Sequence, residues 1–369
     1  MFKYVKDKKA TPGKKTMSSF QALMVSTGSR VGTGNIAGIA TAIIMGGPGA
    51  VFWMWILAIV GASSAFAEST LAQLFKKKNE KGGFRGGPAY YIEQGLKKRW
   101  LGITFAVALM FAFALGFNAL QTFNAVSALD YYFQGTDYNM TMIHVVAGIA
   151  ILILTALTIF GGMKSIGNVS SVIVPFMALL YIGLALLTIF TNLGCMGEVF
   201  AVMFNNAFSI ESILGGGAGA ALLYGTKRGL LSNEAGMGSA PNAAASASVT
   251  HPVKQGLIQS LSAYIDTFFI CTSSAFMVMI FVVQQPDTAA TLNGMPLVQQ
   301  ALTSTVGEFG IHFMTIAIFF FAFSSIIGNY SYAESNFRFI SKNERALYYF
   351  RAICLIPIIL GSLMSLDLA

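Results

Sequence analysis

The sequence predicts an all-α integral membrane protein with about nine transmembrane helices. Three observations carry this. Of 369 residues, 55% are hydrophobic and 10% charged, whereas a soluble domain carries roughly a quarter charged residues. The apolar residues come in unbroken runs long enough for a hydrocarbon core of about 30 Å, which needs about 20 residues of helix. Lys and Arg gather in alternate connections between those runs. Helix is the state expected of each run, because lipid offers no partner to an unpaired backbone N–H or C=O. A lipid-facing barrel would alternate apolar and polar residues, and these runs do not.

Taken in order, residues 1–16 form a basic tail with Lys3, Lys6, Lys8, Lys9, Lys14 and Lys15. Spans are expected at 17–45, 49–75, 101–133, 142–162, 168–192, 206–226, 255–283, 309–337 and 347–367. The connection after the second span holds Lys76, Lys77, Lys78, Lys81, Arg85, Lys97, Lys98 and Arg99. Lys164 follows the fourth span. Lys227, Arg228 and Lys254 are placed after the sixth, and Arg338, Lys342 and Arg345 after the eighth. The intervening connections 134–141, 193–205 and 284–308 contain neither Lys nor Arg. This positive-inside pattern puts the N-terminus in the cytoplasm. The net charge of +8 is therefore a topology signal, and no nucleic-acid partner is expected. Cys195, Cys271 and Cys354 lie far apart, without disulfide or metal spacing. No cleavable signal peptide is read.

Two glycine clusters interrupt the apolar pattern. Span 1 reads Gly28-Ser29-Arg30-Val31-Gly32-Thr33-Gly34-Asn35-Ile36-Ala37-Gly38, and span 6 reads Gly215-Gly216-Gly217-Ala218-Gly219-Ala220. Close helix packing is one explanation, since small residues let membrane helices approach. Their placement favours another: each cluster sits in the first helix of a group of five. An odd number of helices inverts the second copy, and inverted repeats led by broken helices are a plan of secondary transporters. A broken helix exposes free N–H groups at one half and free carbonyls at the other. The first suits a carboxylate and the second a cation. The first cluster is not a dinucleotide loop, because no strand precedes it.

The domain organisation expected is one membrane unit, 1–369. It comprises the tail at 1–16, a five-helix repeat at 17–192 and a second repeat at 206–369 that lacks its last helix.

Several segments together resemble the alanine or glycine:cation symporter family, also called sodium:alanine symporters. They are Val31 to Gly38, Gly46-Gly47-Pro48-Gly49-Ala50-Val51-Phe52-Trp53-Met54-Trp55 and Phe84-Arg85-Gly86-Gly87-Pro88-Ala89-Tyr90-Tyr91. Lys227 to Gly236 and Tyr264-Ile265-Asp266-Thr267 complete the set. The resemblance implies a LeuT-type inverted repeat with helices 1 and 6 discontinuous. It also implies sodium-driven uptake of alanine, glycine or a similar neutral amino acid. Members of that family usually carry one more hydrophobic helix before span 1 and a tenth repeat helix, so a fragment of a symporter is an alternative expectation.

The resemblance implies site residues. The backbone of Gly32, Thr33, Gly34 and Asn35 would meet the substrate carboxylate, with Gly217 and Gly219 near the ammonium. Asn118 and Gln121, three apart on one helix face, would be pocket amides; an interhelical hydrogen bond is the alternative for Asn118. Sodium, a hard cation that takes oxygen ligands, would lie between the Gly28 and Val31 carbonyls and the Ser324 and Ser325 hydroxyls. A Ser-Ser pair can also simply bond its own helix. Asn329, where some members have tryptophan, would give a roomier polar pocket open to serine or glutamine. Arg30 is expected to pair with Asp266 or Glu334 as an inner gate, whereas Glu68 and Asp130 are placed in solvent near span ends. His144, His251 and His312 read as interfacial.

No cofactor is expected beyond sodium as coupling ion, and the partners implied are a small amino acid, sodium and the lipid bilayer. An enzyme is not expected: nothing resembles a Ser-His-Asp set or H-E-x-x-H. A proton-coupled carrier using Asp266 is the competing transport reading, and a passive channel would only equilibrate its solute.

Overall fold

The structure, a computed structural model, describes residues 1–6, 16–78, 82–133, 135, 138–208 and 217–364. After a short helix α1 (Phe2–Val5), α2 (Ser19–Arg30) starts at a capping box in which Ser18 and Gln21 satisfy each other's free N–H groups. The α-helix gives way after Arg30 to a short 3-10 turn, Thr33–Asn35, and resumes as α3 (Ala37–Gly46). The long α4 (Ala50–Leu74) follows. A two-stranded hairpin, Lys77–Lys78 with Phe84–Arg85, then leads into the amphipathic α5 (Pro88–Leu96).

Three long apolar helices come next: α6 (Arg99–Phe133), α7 (Met140–Phe160) and α8 (Met163–Thr191). A shorter α9 (Met196–Phe208) precedes α10 (Gly217–Asn233) and α11 (Ala240–Ser246). The chain then forms α12 (Pro252–Gln284), two short helices α13 (Pro286–Ala290) and α14 (Gly294–Val306), and the long α15 (Glu308–Ile340) and α16 (Glu344–Ser362). Among the described residues, seven helices are long and apolar enough to cross a membrane. Their outer faces are what lipid requires: Val146, Ile153, Leu157, Val172, Leu179 and Phe190 are all exposed.

Two of the expected spans are broken rather than continuous. The first is interrupted where the sequence indicates, between α2 and α3. The sixth requires a correction. Of the segment expected at 206–226, the described residues are 206–208 in α9 and 217–226 in α10. Gly215 and Gly216 lie outside the described residues. From Gly217 the chain is helical to Asn233, so Gly219 is no break; it is exposed, and a Cβ there would meet nothing within 4 Å. The interruption comes later, at Asn233-Glu234-Ala235-Gly236-Met237-Gly238-Ser239, where Glu234, Gly236 and Gly238 take positive φ. Lys227 and Arg228 are corrected with it. They lie inside α10, not in a connection after it. Lys81 and the tail residues Lys8, Lys9, Lys14 and Lys15 fall outside the described residues.

The half-helix α10 lies on α4 through small residues four apart. A Cβ on Gly225 would sit 2.4 Å from the Ala50 carbonyl oxygen, and one on Gly229 would sit 3.1 Å from Leu57 Cβ. This is the close small-xxx-small approach of membrane helices. Gly225→Val is expected to cost about 1–3 kcal/mol, the usual cost of overpacking. The check is the thermal unfolding midpoint of the detergent-purified protein; an unchanged midpoint would mean α10 is free to shift.

Candidate functional site

The α2–α3 break is packed most tightly at Gly32. A Cβ on Gly32 would stand 2.3 Å from Gln121 Nε2 and 2.8 Å from Ser325 Oγ. The freed Thr33 N–H donates to Gln121 Oε1 at 2.8 Å, and Asn124 Nδ2 donates to Thr33 Oγ1 at 2.9 Å. Just past the break, the first turn of α3 presents N–H groups that its own helix cannot satisfy.

On the other side, the end of α2 meets α15. Ser325 Oγ lies 2.9 Å from the Gly28 carbonyl oxygen and 3.4 Å from that of Val31, and Ser324 Oγ lies 3.3 Å from Gly28 O. Both hydroxyls are fully buried. The structure thus brings Gly28, Val31, Ser324 and Ser325 together as a cluster of neutral oxygens. The hydroxyls here donate to the carbonyls. By rotating, the same hydroxyls can offer lone pairs to a hard cation, for which an all-oxygen set is suited.

The α10–α11 break faces the first. Glu68 of α4 accepts the Gly236 and Gly238 N–H groups at 3.3 and 3.1 Å, one on each oxygen. Expected in solvent, Glu68 is instead buried, because its carboxylate supplies acceptors that the broken backbone lacks. Asp130 does remain half-exposed, paired with His144. Glu234 accepts from Ser29 at 3.1 Å and from Ser239 at 2.6 Å, tying the end of α2 to the start of α11. Ser29 has one proton to donate, shared between Glu234 and Asn329 Oδ1 at 2.7 Å. Asn329 Nδ2 in turn donates to Asn118 Oδ1 at 3.0 Å, which places Asn118 in the interhelical network.

Asp266 sits in a π-helical stretch of α12, Ile265–Cys271, a backbone distortion frequent at functional sites. Asn35 Nδ2 and Ser232 Oγ donate to its two oxygens, each at 2.5 Å. Ser274 holds the Asn35 carbonyl at 2.6 Å.

Between the breaks lies a cavity of about 70 Å³, well under the 300–1,000 Å³ of a drug-sized site. Gly34 and Asn35 line it from the first break, Leu231, Ser232 and Glu234 from the second, Gln121 with Phe117 and Leu120 from α6, and Asn329 from α15. Gly34, Asn35, Gln121 and Asn329 therefore line one cavity. Gly32 and Thr33 stand behind them against Gln121, whereas Gly219 does not reach the cavity.

The gate pair is not formed. Arg30 lines the cavity but donates Nη1 to the Gln259 carbonyl at 3.1 Å, and its Nε and Nη2 have no partner among the described residues. Glu334 is engaged elsewhere, by Arg351 at 3.3 Å and the Tyr330 hydroxyl at 2.5 Å. The residues the sequence reading missed are Glu68, Glu234 and the break itself. Its signal was present as Gly236, Gly238 and Pro241 closely following Asn233, the usual grammar of a helix stop and restart.

Comparison with known proteins gives a consistent picture. The profile of the sodium:alanine symporter family matches residues 1–369. The amino-acid carrier protein AlsT of Bacillus subtilis is 46% identical over 368 residues, covering 100% of this chain and 76% of that protein. The sodium/alanine symporter AgcS of Methanococcus maripaludis is 38% identical over 329 residues, 88% of this chain and 71% of that one. Among solved structures, MhsT in complex with L-phenylalanine superposes with a TM-score of 0.69 at 18% identity, over 95% of this chain and 81% of MhsT. That likeness shows the fold, which is of the LeuT type.

Proposed function

The chain belongs to the sodium:alanine symporter family, and on that premise we propose that it couples sodium entry to uptake of a small neutral amino acid by alternating access. It is a multi-pass membrane transporter, not an enzyme. The observation that carries the coupling ion is the Gly28, Val31, Ser324 and Ser325 oxygen cluster at the α2 break. A cation there joins the end of α2 to α15, so its binding favours the arrangement in which those helices meet.

The amino acid would occupy the adjoining cavity. Its carboxylate would meet the N-terminal turn of α3 near Gly34 and Asn35. Its ammonium would face the carbonyl end of α10 near Leu231 and Ser232. One charge crossing 100 mV supplies about 2.3 kcal/mol, enough to concentrate substrate on the order of forty-fold at 1.4 kcal/mol per decade. The positive-inside distribution supports a plasma-membrane protein whose N-terminal face is cytoplasmic.

The test is uptake of labelled alanine, glycine, serine and glutamine in a transport-deficient bacterium, with sodium or choline outside. Accumulation of one of them only with sodium is the expected result. Asp266 in the wall beside the cavity favours a second reading, proton coupling on the same fold; accumulation that persists in choline and follows an imposed pH gradient would establish it and dismiss sodium. Asn329→Trp is expected to narrow substrate choice, cutting glutamine or serine transport about ten-fold relative to alanine, because one misfitting group in a pocket costs 1–3 kcal/mol. A competition panel identical to wild type would remove Asn329 from the substrate contacts.

A further inference from the structure

We propose that Arg228 is a substrate-binding residue, a charged anchor for the amino acid's carboxylate. The inference rests on the symport reading above and names a recognition element within that site. Arg228 lines the cavity from α10. Its guanidinium lies against the first turn of α3: a Cβ on Gly38 would stand 2.3 Å from Nη1, 2.7 Å from Cζ and 3.2 Å from Nε. The absence of a side chain at Gly38 is what lets the guanidinium reach the half-helix end where free N–H groups converge.

Among the described residues, Arg228 has neither an ion pair nor a hydrogen-bond partner. The titratable groups that act on it are Cys271 and Tyr224, and neither is a carboxylate. An unneutralised guanidinium on a helix packed against the span α4 is costly, and its donors are shaped to grip a carboxylate in two places. The other cavity charges are disposed differently. Arg30 donates Nη1 to the Gln259 carbonyl and leaves Nε and Nη2 unpartnered among the described residues, but the carboxylates of Glu68, Glu234 and Asp266 lie near enough to offset its charge. Glu234 and Asp266 are each held by at least two donors. Two positive elements from opposite repeats, the N-terminus of α3 and Arg228, thus converge on one volume, which calls for the negative end of the zwitterion. The side chain of the amino acid is left to Phe117 and Leu120.

The experiment is alanine binding to the detergent-purified full chain by calorimetry, with and without sodium, alongside alaninamide, which has the ammonium but no carboxylate. Wild type is expected to bind alanine with sodium and alaninamide much more weakly. Arg228→Gln is expected to weaken alanine about 10- to 100-fold, the range for losing a charge-assisted bond, while alaninamide binding stays unchanged. Arg228→Lys is expected to recover part of the loss.

Gly38→Ala approaches the same contact from the other side. Alanine favours helix over glycine, so the thermal midpoint should hold or rise while alanine affinity falls as in Arg228→Gln. Equal loss of alanine and alaninamide in Arg228→Gln, no loss of either, or a changed ranking among alanine, serine and glutamine would each overturn the proposal. Absence of sodium-dependent alanine binding in wild type would overturn the symport reading itself, and the anchor with it.

Discussion

Replacing Ser325 with alanine is expected to raise the sodium concentration for half-maximal uptake by one to two orders of magnitude. The fold should remain intact. The substitution deletes one oxygen from a fully buried cluster in which that oxygen reaches both the Gly28 and the Val31 carbonyls. A bond between a neutral oxygen and a full charge contributes roughly 1.5–3 kcal/mol, and 1.4 kcal/mol is a factor of ten. Ser324→Ala should have a smaller effect, since Ser324 Oγ reaches only Gly28 O, at 3.3 Å, and also bonds within its own helix to Phe321 O at 3.0 Å. Ser325→Thr keeps the hydroxyl and should keep most of the sodium response. The measurement is initial uptake rate against sodium concentration for all three variants, with the thermal midpoint as a check on folding. If Ser325→Ala responds to sodium like wild type, the hydroxyls only cross-link α2 to α15 and the cation binds elsewhere.

The contrast between the two breaks shows what the sequence discloses and what it withholds. At the first, Gly32 and Gly34 flank a residue whose N–H must find an outside acceptor, and Gln121 provides it. Composition and structure agree there because the close approach of Gln121 and Ser325 leaves no room for a side chain at Gly32. At the second, the denser cluster Gly215 to Gly219 drew the expectation away from the true break. Of that cluster's described residues, Gly219 sits in helix, exposed. What unwinds the chain is a set of positive-φ positions, Glu234, Gly236 and Gly238, together with an acceptor from another helix. That acceptor, Glu68, is over a hundred and fifty residues distant in sequence, and no local pattern announces it.

Lys227 and Arg228 misled for a related reason. Charged residues inside a span are rare, so a loop was the natural expectation. In the structure Lys227 lies over the Tyr224 ring, 5.7 Å from its centre, while Arg228 reaches Gly38 across a gap that only the fold creates. The oxygen cluster of Gly28, Val31, Ser324 and Ser325 was legible through the family resemblance, with the Ser-Ser pair in an apolar helix as its mark in the sequence. The gate pairing of Arg30 was not. Its partner is a backbone carbonyl, Gln259 O, and backbone acceptors leave no side-chain signature.

Glu68→Gln should then be among the most damaging single changes available, although it keeps size and shape. Each Glu68 oxygen accepts one backbone N–H of the second break, from Gly236 and from Gly238. A glutamine amide has one oxygen to accept with, and its NH2 would face the other N–H donor to donor. The loss is one charge-assisted bond plus a buried donor left unpaired, which together cost about 3–5 kcal/mol. That is a large share of the 5–15 kcal/mol that holds a typical protein folded. Glu68→Asp, shorter by one methylene, cannot reach both donors and should fall between. The break also places Ser232 and Glu234 at the cavity, so transport should fall further than stability alone predicts. The residual folded fraction should bind the amino acid weakly. Thermal unfolding with alanine binding on the same purified sample reads both effects. A Glu68→Gln protein with the wild-type midpoint and affinity would mean that the positive-φ turns hold the second break open without help from α4.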